Sequence, residues 1–95
     1  MRLEVSARAK KDIDLIFIYG IDNFGEKQSR EYKNELLDQL DLIALQPKMG
    51  IERQGSKKPL RTMFFNNHIV FYRIGRGKVR IFRILHGKQN WPDHL

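Results

Sequence analysis

The chain contains no cysteine, and its three histidines, His68, His86 and His94, lack the spacing of metal ligands. A disulfide scaffold, thiol catalysis and a cysteine-ligated zinc site are therefore excluded, and no metal or other cofactor is expected. Long hydrophobic runs are also absent. The longest, residues 15–19, is far shorter than the roughly 20 residues that span a bilayer, and no signal peptide is indicated. A soluble cytoplasmic protein is predicted.

Acidic residues are scarce in the second half of the chain. Residues 51–95 contain 10 Lys or Arg and 2 Asp or Glu, a net charge of +8, whereas residues 1–50 contain 8 and 9, a net charge of −1. The 95 residues predict a single domain, residues 1–95, with one modest core. We expect the basic half to contact nucleic acid, a nucleic-acid enzyme or an acidic protein. The alternative is a basic but otherwise ordinary domain.

Hydrophobic periodicity predicts two helices followed by three strands. Alternation predicts a first strand over residues 2–5, and Ser6 is a candidate N-cap for a helix over residues 7–23, weakened near its end by Gly20. A stripe of Tyr32, Leu36, Leu40 and Ile43 predicts a second helix over residues 26–45, which Pro47 ends. Pro and Gly residues recur along residues 46–59 and predict a loop there, which contains the basic residues Lys48, Arg53, Lys57 and Lys58.

Two tight turns divide the last apolar region into strands over residues 60–65, 68–74 and 78–86. The predicted fold class is α+β: an N-terminal strand and an antiparallel two-helix hairpin packed on an antiparallel sheet, which a three-strand C-terminal meander completes. Strict alternation in the last strand places Val79, Ile81, Arg83 and Leu85 on one face and Arg80, Phe82, Ile84 and His86 on the other. The helices cover one side, and the other should stay partly open, as an apolar surface for a partner.

The residues whose side chains could take part in a reaction lie on these strands or just after them. Neighbouring strands can bring arginines together on a phosphate while His86 transfers a proton, which is the composition of a metal-free ribonuclease. The candidates are Arg61, Arg73, Arg83, His86 and Lys88. The alternative is that the arginines are solvated edge charges. His68, beside a turn, is interpreted as structural, and Trp91 either pins the C-terminus or anchors a partner.

Several segments carry a resemblance to a known family. Residues 59–61 (Pro-Leu-Arg), 68–73 and 83–91, together with residues 6–12 and 46–50, resemble the RelE/ParE toxin superfamily, and specifically its ParE branch. The most specific element is the Leu85-His86-Gly87 ending. The resemblance covers nearly the whole chain and implies the toxin of a type II toxin–antitoxin pair.

The two branches imply different activities. ParE-like members inhibit DNA gyrase and trap cleaved DNA without enzymatic turnover, whereas RelE-like members cleave mRNA in the ribosome with cationic residues. Arg61 matches an arginine of the RelE-like nucleases. However, Gln89 stands where they usually carry an arginine, and their C-terminal tyrosine has no counterpart in this chain. These departures favour the ParE branch.

The resulting hypothesis is a gyrase poison without catalytic residues of its own. The residues expected to contribute to toxicity by binding the target or its DNA are Arg61, His86, Lys88, Gln89, Asn90 and Trp91. If the chain is instead a metal-independent mRNA endonuclease, Arg61, Arg83, His86 and Lys88 would be catalytic. A third alternative is an inactive basic nucleic-acid-binding remnant. The expected partner is a small antitoxin with an acidic C-terminal segment that folds on binding, in a complex such as a heterotetramer.

Overall fold

A computed structural model describes residues 1–54 and 59–89 of the chain. Two helices and five strands follow one another: β1 (Arg2–Val5), α1 (Ala7–Phe24), α2 (Glu26–Leu45), β2 (Ile51–Arg53), β3 (Leu60–Phe65), β4 (His68–Gly75) and β5 (Lys78–His86). Within the described residues, no helix is long and apolar enough to cross a membrane. The predicted helices and strands are confirmed to within a residue or two.

The five strands form one mixed sheet in the order β1-β5-β4-β3-β2. The meander of β3, β4 and β5 is antiparallel as predicted, while β1 lies parallel to β5, with Arg2 opposite Lys78. β1 and β5 can lie parallel because the connection between them is long and includes the helix hairpin, whereas a tight turn allows only antiparallel pairing. The predicted α+β fold class is confirmed, and β1 makes the sheet mixed.

The loop predicted over residues 46–59 is wrong in its first half. Pro47–Met49 form a 3₁₀ turn, and β2 adds a fifth strand that pairs antiparallel with β3. Three residues are too few to show a period-2 pattern, so this strand depends on pairing with β3 rather than on a local signal. Of the basic residues assigned to the loop, Lys57 and Lys58 lie outside the described residues.

The main core lies between the helix hairpin and the inner face of the sheet, the face that the helices cover. Its buried members from both layers are Ala9, Ile13, Leu36, Leu40, Ile43, Val70, Tyr72, Val79, Ile81 and Ile84. Three of the four residues in the predicted α2 stripe are buried, and Tyr32 is half-buried. The periodicity therefore identified the correct face of α2.

A bulge in β5 makes the strict alternation predicted there wrong. Phe71 pairs with Arg83 but its neighbour Tyr72 pairs with Ile81, so Phe82 is an extra residue on β5. An extra residue shifts the side-chain alternation by one. Consequently Ile84, rather than Leu85, shares the inner face with Ile81.

The outer face of the sheet, away from the helices, carries a smaller buried cluster. Leu60, Ile69, Phe71 and Leu85 are buried there, with Phe82 packed against them. At the β2–β3 margin, Ile51 and Phe64 are 54% and 56% exposed. Among the described residues, the apolar surface predicted to stay open on this face is therefore limited to this margin and does not include the centre of the face.

The two helices are in close contact at Gly20. The Ser29 hydroxyl donates a 2.7 Å hydrogen bond to the carbonyl oxygen of Phe17, and a Cβ built on Gly20 would lie 2.3 Å from that hydroxyl oxygen. We expect Gly20→Ala to lower the free energy of unfolding by about 1–3 kcal/mol, because the helices must separate or Ser29 must give up its bond.

Urea denaturation of the two alanine variants checks this expectation. Gly75→Ala is the matched control, because a Cβ at Gly75 would meet no atom within 4 Å. Equal stability of the two variants would show that the contact between the helices is not as close as described.

Candidate functional site

A groove of about 970 Å³ runs between α1 and the end of the β4–β5 hairpin. Its apolar wall comes from α1 and includes Leu15, Tyr19 and Phe24, which are 51%, 64% and 60% exposed. Its opposite wall is polar, and the described residues that line it include Tyr32, Asn66, Asn67, His68, His86 and Gln89. Large apolar side chains exposed together beside polar groups are typical of a binding site for another protein.

The floor of the groove lies along the part of β5 that β1 does not reach. β1 ends at Val5, opposite Ile81, and none of the described strands pairs with β5 on this side beyond that point. Side chains occupy it instead. The Ser6 hydroxyl donates to the carbonyl oxygen of Phe82 (3.2 Å), and side-chain oxygens of Asp12 and Gln89 accept from the amides of Ile84 (2.9 Å) and His86 (2.8 Å). A partner in this groove must therefore bind mainly through side chains rather than by adding a strand.

Ser6 confirms the predicted N-cap and has a second role. Its hydroxyl oxygen accepts from the amide of Ala9 at 3.0 Å, which satisfies one of the free donors at the start of α1. The same hydroxyl donates to β5, so the first turn of the helix is attached to the sheet edge. The local capping signal in the sequence thus also fixes the position of one groove wall.

Asp12 and Arg83 form a buried ion pair at the edge of the groove. The Arg83 Nε donates to Asp12 Oδ2 at 2.9 Å and a second guanidinium nitrogen lies 3.3 Å from Oδ1, while the side chains are 12% and 6% exposed. Arg8 approaches the same carboxylate only at 3.8 Å, and its side chain is 54% exposed. Arg83 is therefore bound by Asp12, and Arg8 keeps most of its charge available at the groove mouth.

Tyr32, His68 and His86 form a chain of side chains in the polar wall. The Tyr32 hydroxyl and His68 Nδ1 share a 2.6 Å hydrogen bond, and the two histidine rings meet edge to face with centroids 5.5 Å apart. Burial, and secondly the neighbouring His86, hold the pKa of His68 below its ordinary value. Burial likewise raises the pKa of the Tyr32 hydroxyl. Both groups are therefore held neutral near pH 7.

The lowered pKa of His68 predicts a loss of stability in mild acid. Because the unfolded chain protonates His68 at a higher pH than the folded chain does, the free energy of unfolding should fall as the pH drops below about 6.5. The contribution of neutral His68 to the free energy of unfolding should be fully present well above that pH. Urea denaturation at pH 7.5 and pH 5.5 measures the difference, and His68→Gln should make it smaller. An unchanged difference in the variant would assign the effect to other groups.

Arg61 lies far from His86 and is used by the fold. Its guanidinium donates to the carbonyl oxygens of Gly50 (2.7 Å) and Lys48 (3.3 Å) and lies 4.0 Å from a Glu52 carboxylate oxygen. Arg61 pairs with Tyr72, whereas His86 pairs with His68. Four residues along the sheet and two strands across separate them by about 16 Å. The structure does not bring these two candidates together.

His86, the last residue of β5, lies together with Lys88 and Gln89 of the turn that follows. The Lys88 amide donates to His86 Nδ1 at 3.1 Å, and the Gln89 amide donates to the His86 carbonyl oxygen at 3.0 Å. His86 and Gln89 also line the groove. Arg73, the remaining strand candidate, lies over the Phe82 ring on the outer face, 4.3 Å from its centroid. Asn90 and Trp91 lie outside the described residues.

The exposed side of α1 was not identified from the sequence as part of a site. Three- and four-residue spacing predicts that Ala9, Ile13, Ile16 and Phe17 form the core face of α1, and Leu15 and Tyr19 fall outside that stripe. The sequence signal for this exposed surface is a second set of large apolar residues on α1, in addition to the stripe that faces the core. In residues 1–54 and 59–89, no three His, Asp or Glu side chains are grouped to hold a metal ion.

Comparison with known proteins identifies the family. The sequence model described as the ParE toxin of the type II toxin–antitoxin system parDE matches residues 3–91. The chain belongs to the ParE toxin family. It is 36% identical over 91 residues to Toxin ParE1 of Caulobacter vibrioides, covering 96% of this chain and 94% of that protein. It is also 27% identical over 95 residues to Toxin ParE1 of Mycobacterium tuberculosis, covering 99% and 97%.

Two solved structures share the architecture of this chain. A chain from the chromosomal ParDE toxin–antitoxin system of P. aeruginosa superposes with a TM-score of 0.80 at 18% identity, covering 90% of this chain and 95% of that one. A conserved hypothetical protein from Helicobacter pylori superposes with a TM-score of 0.53 at 16% identity, covering 94% and 97%. At these identities the likeness shows the fold alone. The family match over residues 3–91 and the 36% identity to Toxin ParE1 of Caulobacter vibrioides identify the chain as a ParE toxin of a type II toxin–antitoxin system.

Proposed function

We propose that this ParE toxin acts in the cytoplasm by binding and poisoning DNA gyrase, without enzymatic turnover, and that a cognate antitoxin neutralises it. Binding is favoured over catalysis by one observation: the candidate nuclease residues lie apart from one another. Arg61 is held by the carbonyl oxygens of Gly50 and Lys48, and Arg83 is held by Asp12. General acid–base chemistry on a phosphate needs such groups within hydrogen-bonding reach of one reacting atom.

The surface proposed to meet the target is the turn after β5. His86, Lys88 and Gln89 lie next to one another there, and the chain continues into Asn90 and Trp91, whose inclusion remains an expectation from the sequence. Arg61 would contribute indirectly, by holding the turn at residues 47–49 against the sheet. This proposal separates binding residues at one end of the sheet from a positioning residue at the other.

A supercoiling assay with purified gyrase tests the proposed target. We expect the toxin, freed of antitoxin, to abolish supercoiling and to accumulate cleaved DNA, and expect Lys88→Ala together with Trp91→Ala to restore gyrase activity. Normal supercoiling with correctly folded toxin would reject gyrase as the target. Cleavage of mRNA in a translating extract, lost in Arg61→Ala, would then support the RelE-like alternative. Harmless expression without antitoxin would indicate an inactive remnant.

The antitoxin is proposed to occupy the groove with a short amphipathic helix. The exposed apolar wall formed by Leu15, Tyr19 and Phe24 fits an apolar helix face, and Arg8 at the mouth fits an acidic residue. The side chains that occupy the β5 edge disfavour addition of a strand. Folding of the helix on binding is the expected mode, and two such toxin–antitoxin pairs would give a heterotetramer.

Alanine substitution at the apolar wall tests the groove. We expect Tyr19→Ala to weaken binding of the antitoxin encoded beside the toxin gene by about 30-fold or more, as for a buried aromatic anchor. Ile18→Ala is the matched control: Ile18 is 53% exposed on the same helix but does not line the groove. Isothermal titration calorimetry gives both affinities. Equal losses in the two variants would place the antitoxin elsewhere.

A further inference from the structure

Three arginines lie on one line across the outer face of the sheet. Arg53 pairs with Leu60, Arg73 pairs with Arg80, and Arg80 pairs with Glu4. The antiparallel register of β3 with β4, in which Arg61 pairs with Tyr72, places Leu60 beside Arg73. The line therefore crosses all five strands, and its cations come from β2, β4 and β5. We call Arg53, Arg73 and Arg80 the arginine row.

Two members of the row are arranged at the expense of stability. Arg73 and Arg80 are directly opposite on neighbouring strands, and like charges in that position are destabilising. Their contacts relieve this only in part: the Arg73 guanidinium stacks on Phe82, and Arg80 forms an ion pair with Glu4. The buried Nε of Arg73 makes no hydrogen bond within the described part of the chain. That nitrogen is too deeply buried to reach a partner, but two like charges held side by side on one face favour an anionic one.

The charge around the row has one dominant sign. The next line of the sheet adds Arg2 and Lys78, which pair with each other on the same face. Glu4 is the one acid among these outer-face positions, and it is shared by Lys78 and Arg80. Those ion pairs hold the pKa of Glu4 below its ordinary value, so it stays ionised and orders the two cations. Five cations against one carboxylate leave a strongly positive face.

The shape of the face fits a nucleic-acid backbone. Strands lie about 4.8 Å apart, so the row from β2 to β5 extends over roughly 14 Å of the outer face. The Arg53 Nε donates to the Thr62 hydroxyl at 3.1 Å, which lays this side chain along the sheet. Single-stranded nucleic acid is bound by stacking bases on aromatic rings. Of the described rings on this face, Phe82 already lies under Arg73, and the exposed Phe64 is four residues along β3 from the row. Duplex phosphates are therefore the better fit.

We propose that the arginine row binds the phosphate backbone of duplex DNA, without sequence preference, and so holds the toxin on the DNA that gyrase engages. The second part of this proposal rests on the proposed function. Guanidinium groups match phosphate oxygens in charge and geometry, and backbone contacts of this kind give affinity without sequence information. None of the three arginines lines the groove, so the antitoxin and DNA would use different surfaces.

Fluorescence anisotropy with a labelled 30-base-pair duplex of arbitrary sequence tests DNA binding by the toxin freed of antitoxin. The logarithm of the binding constant should fall linearly with the logarithm of the salt concentration, and Arg73→Gln with Arg80→Gln should reduce that slope by about 2. Lys10→Gln with Lys11→Gln is the matched control. It removes the same charge from exposed positions on α1, and its slope should match that of the native toxin.

Several results would overturn the proposal: no binding to the duplex, an equal loss of slope in the control pair, or equal displacement of the duplex by polyglutamate or single-stranded RNA. Circular dichroism and thermal melting of the variant confirm that it is folded, and Arg53→Gln, at the far end of the row, gives a second and independent reduction of the slope.

Supercoiling assays separate the two proposals. A toxin that binds duplex through the row but leaves gyrase unaffected would reject the proposed function alone, whereas unchanged gyrase poisoning by a variant that no longer binds duplex would reject the role of the row.

Discussion

Replacing Asp12 with alanine is expected to lower the free energy of unfolding by about 3–5 kcal/mol, because it leaves the buried guanidinium of Arg83 without its carboxylate. The Asp12 side chain is 6% exposed, and its two oxygens accept from Arg83 at 2.9 and 3.3 Å and from the Ile84 amide at 2.9 Å. The substitution therefore removes an ion pair and also uncovers a backbone donor at the sheet edge. Chemical denaturation monitored by circular dichroism measures the loss.

Asp14→Ala is the control for this result. Asp14 is exposed on the same helix, two residues further on, so its replacement tests helix propensity and net charge without touching the ion pair. We expect a change within about 0.5 kcal/mol. Asp12→Asn should lie between the two, because its side-chain oxygen can still accept from the Ile84 amide. A similar stability for Asp12→Ala and Asp14→Ala would mean that Arg83 is solvated rather than buried.

Replacing Tyr72 with phenylalanine is expected to destabilise the protein by about 2–4 kcal/mol, although it removes a single oxygen atom. The Tyr72 hydroxyl donates to the carbonyl oxygen of Pro47 at 2.7 Å and accepts from the Gly50 amide at 2.9 Å. Burial raises the pKa of this hydroxyl, so it remains a donor at physiological pH. Without it, both backbone groups lose their partner beneath the turn at residues 47–49.

Tyr19→Phe provides the comparison. Tyr19 is 64% exposed, so its hydroxyl can bond to water in both the folded and the unfolded chain. Thermal melting of the two variants should show a large drop for Tyr72→Phe and almost none for Tyr19→Phe. Amide hydrogen exchange should also accelerate at Gly50 in the Tyr72 variant. If exchange at Gly50 stayed slow, the hydroxyl would not be what protects that amide.

The sequence contained enough information for most of the fold and for little of the site. Periodicity located both helices and the meander because each has a repeated local pattern, and Ser6 marked the start of α1 through a purely local hydrogen bond. The strand β2 and the bulge at Phe82 escaped prediction because both are defined by pairing with a neighbouring strand. Neither leaves a signal within a few residues of itself.

The site depends on contacts between residues far apart in the chain. Arg61 and Arg83 looked alike as basic strand residues, yet one is bonded to backbone carbonyl oxygens and the other to Asp12, 71 residues away. The groove also joins α1 to the end of β5. No spacing rule relates such positions, so only the folded structure shows which cations are available. The family, by contrast, was recognisable from short motifs, and the match over residues 3–91 confirms it.

The parallel pairing of β1 with β5 determines when a newly made molecule can become active. β1 is the first strand to be synthesised, but its partner residues, Lys78 to Ile81, belong to the last described strand. Until β5 has left the ribosome, the helix hairpin lacks Val79, Ile81 and Ile84 from its core, and the groove lacks one of its walls. Closing so distant a contact is slow compared with forming the helices. A nascent chain is therefore an incomplete toxin for most of its translation.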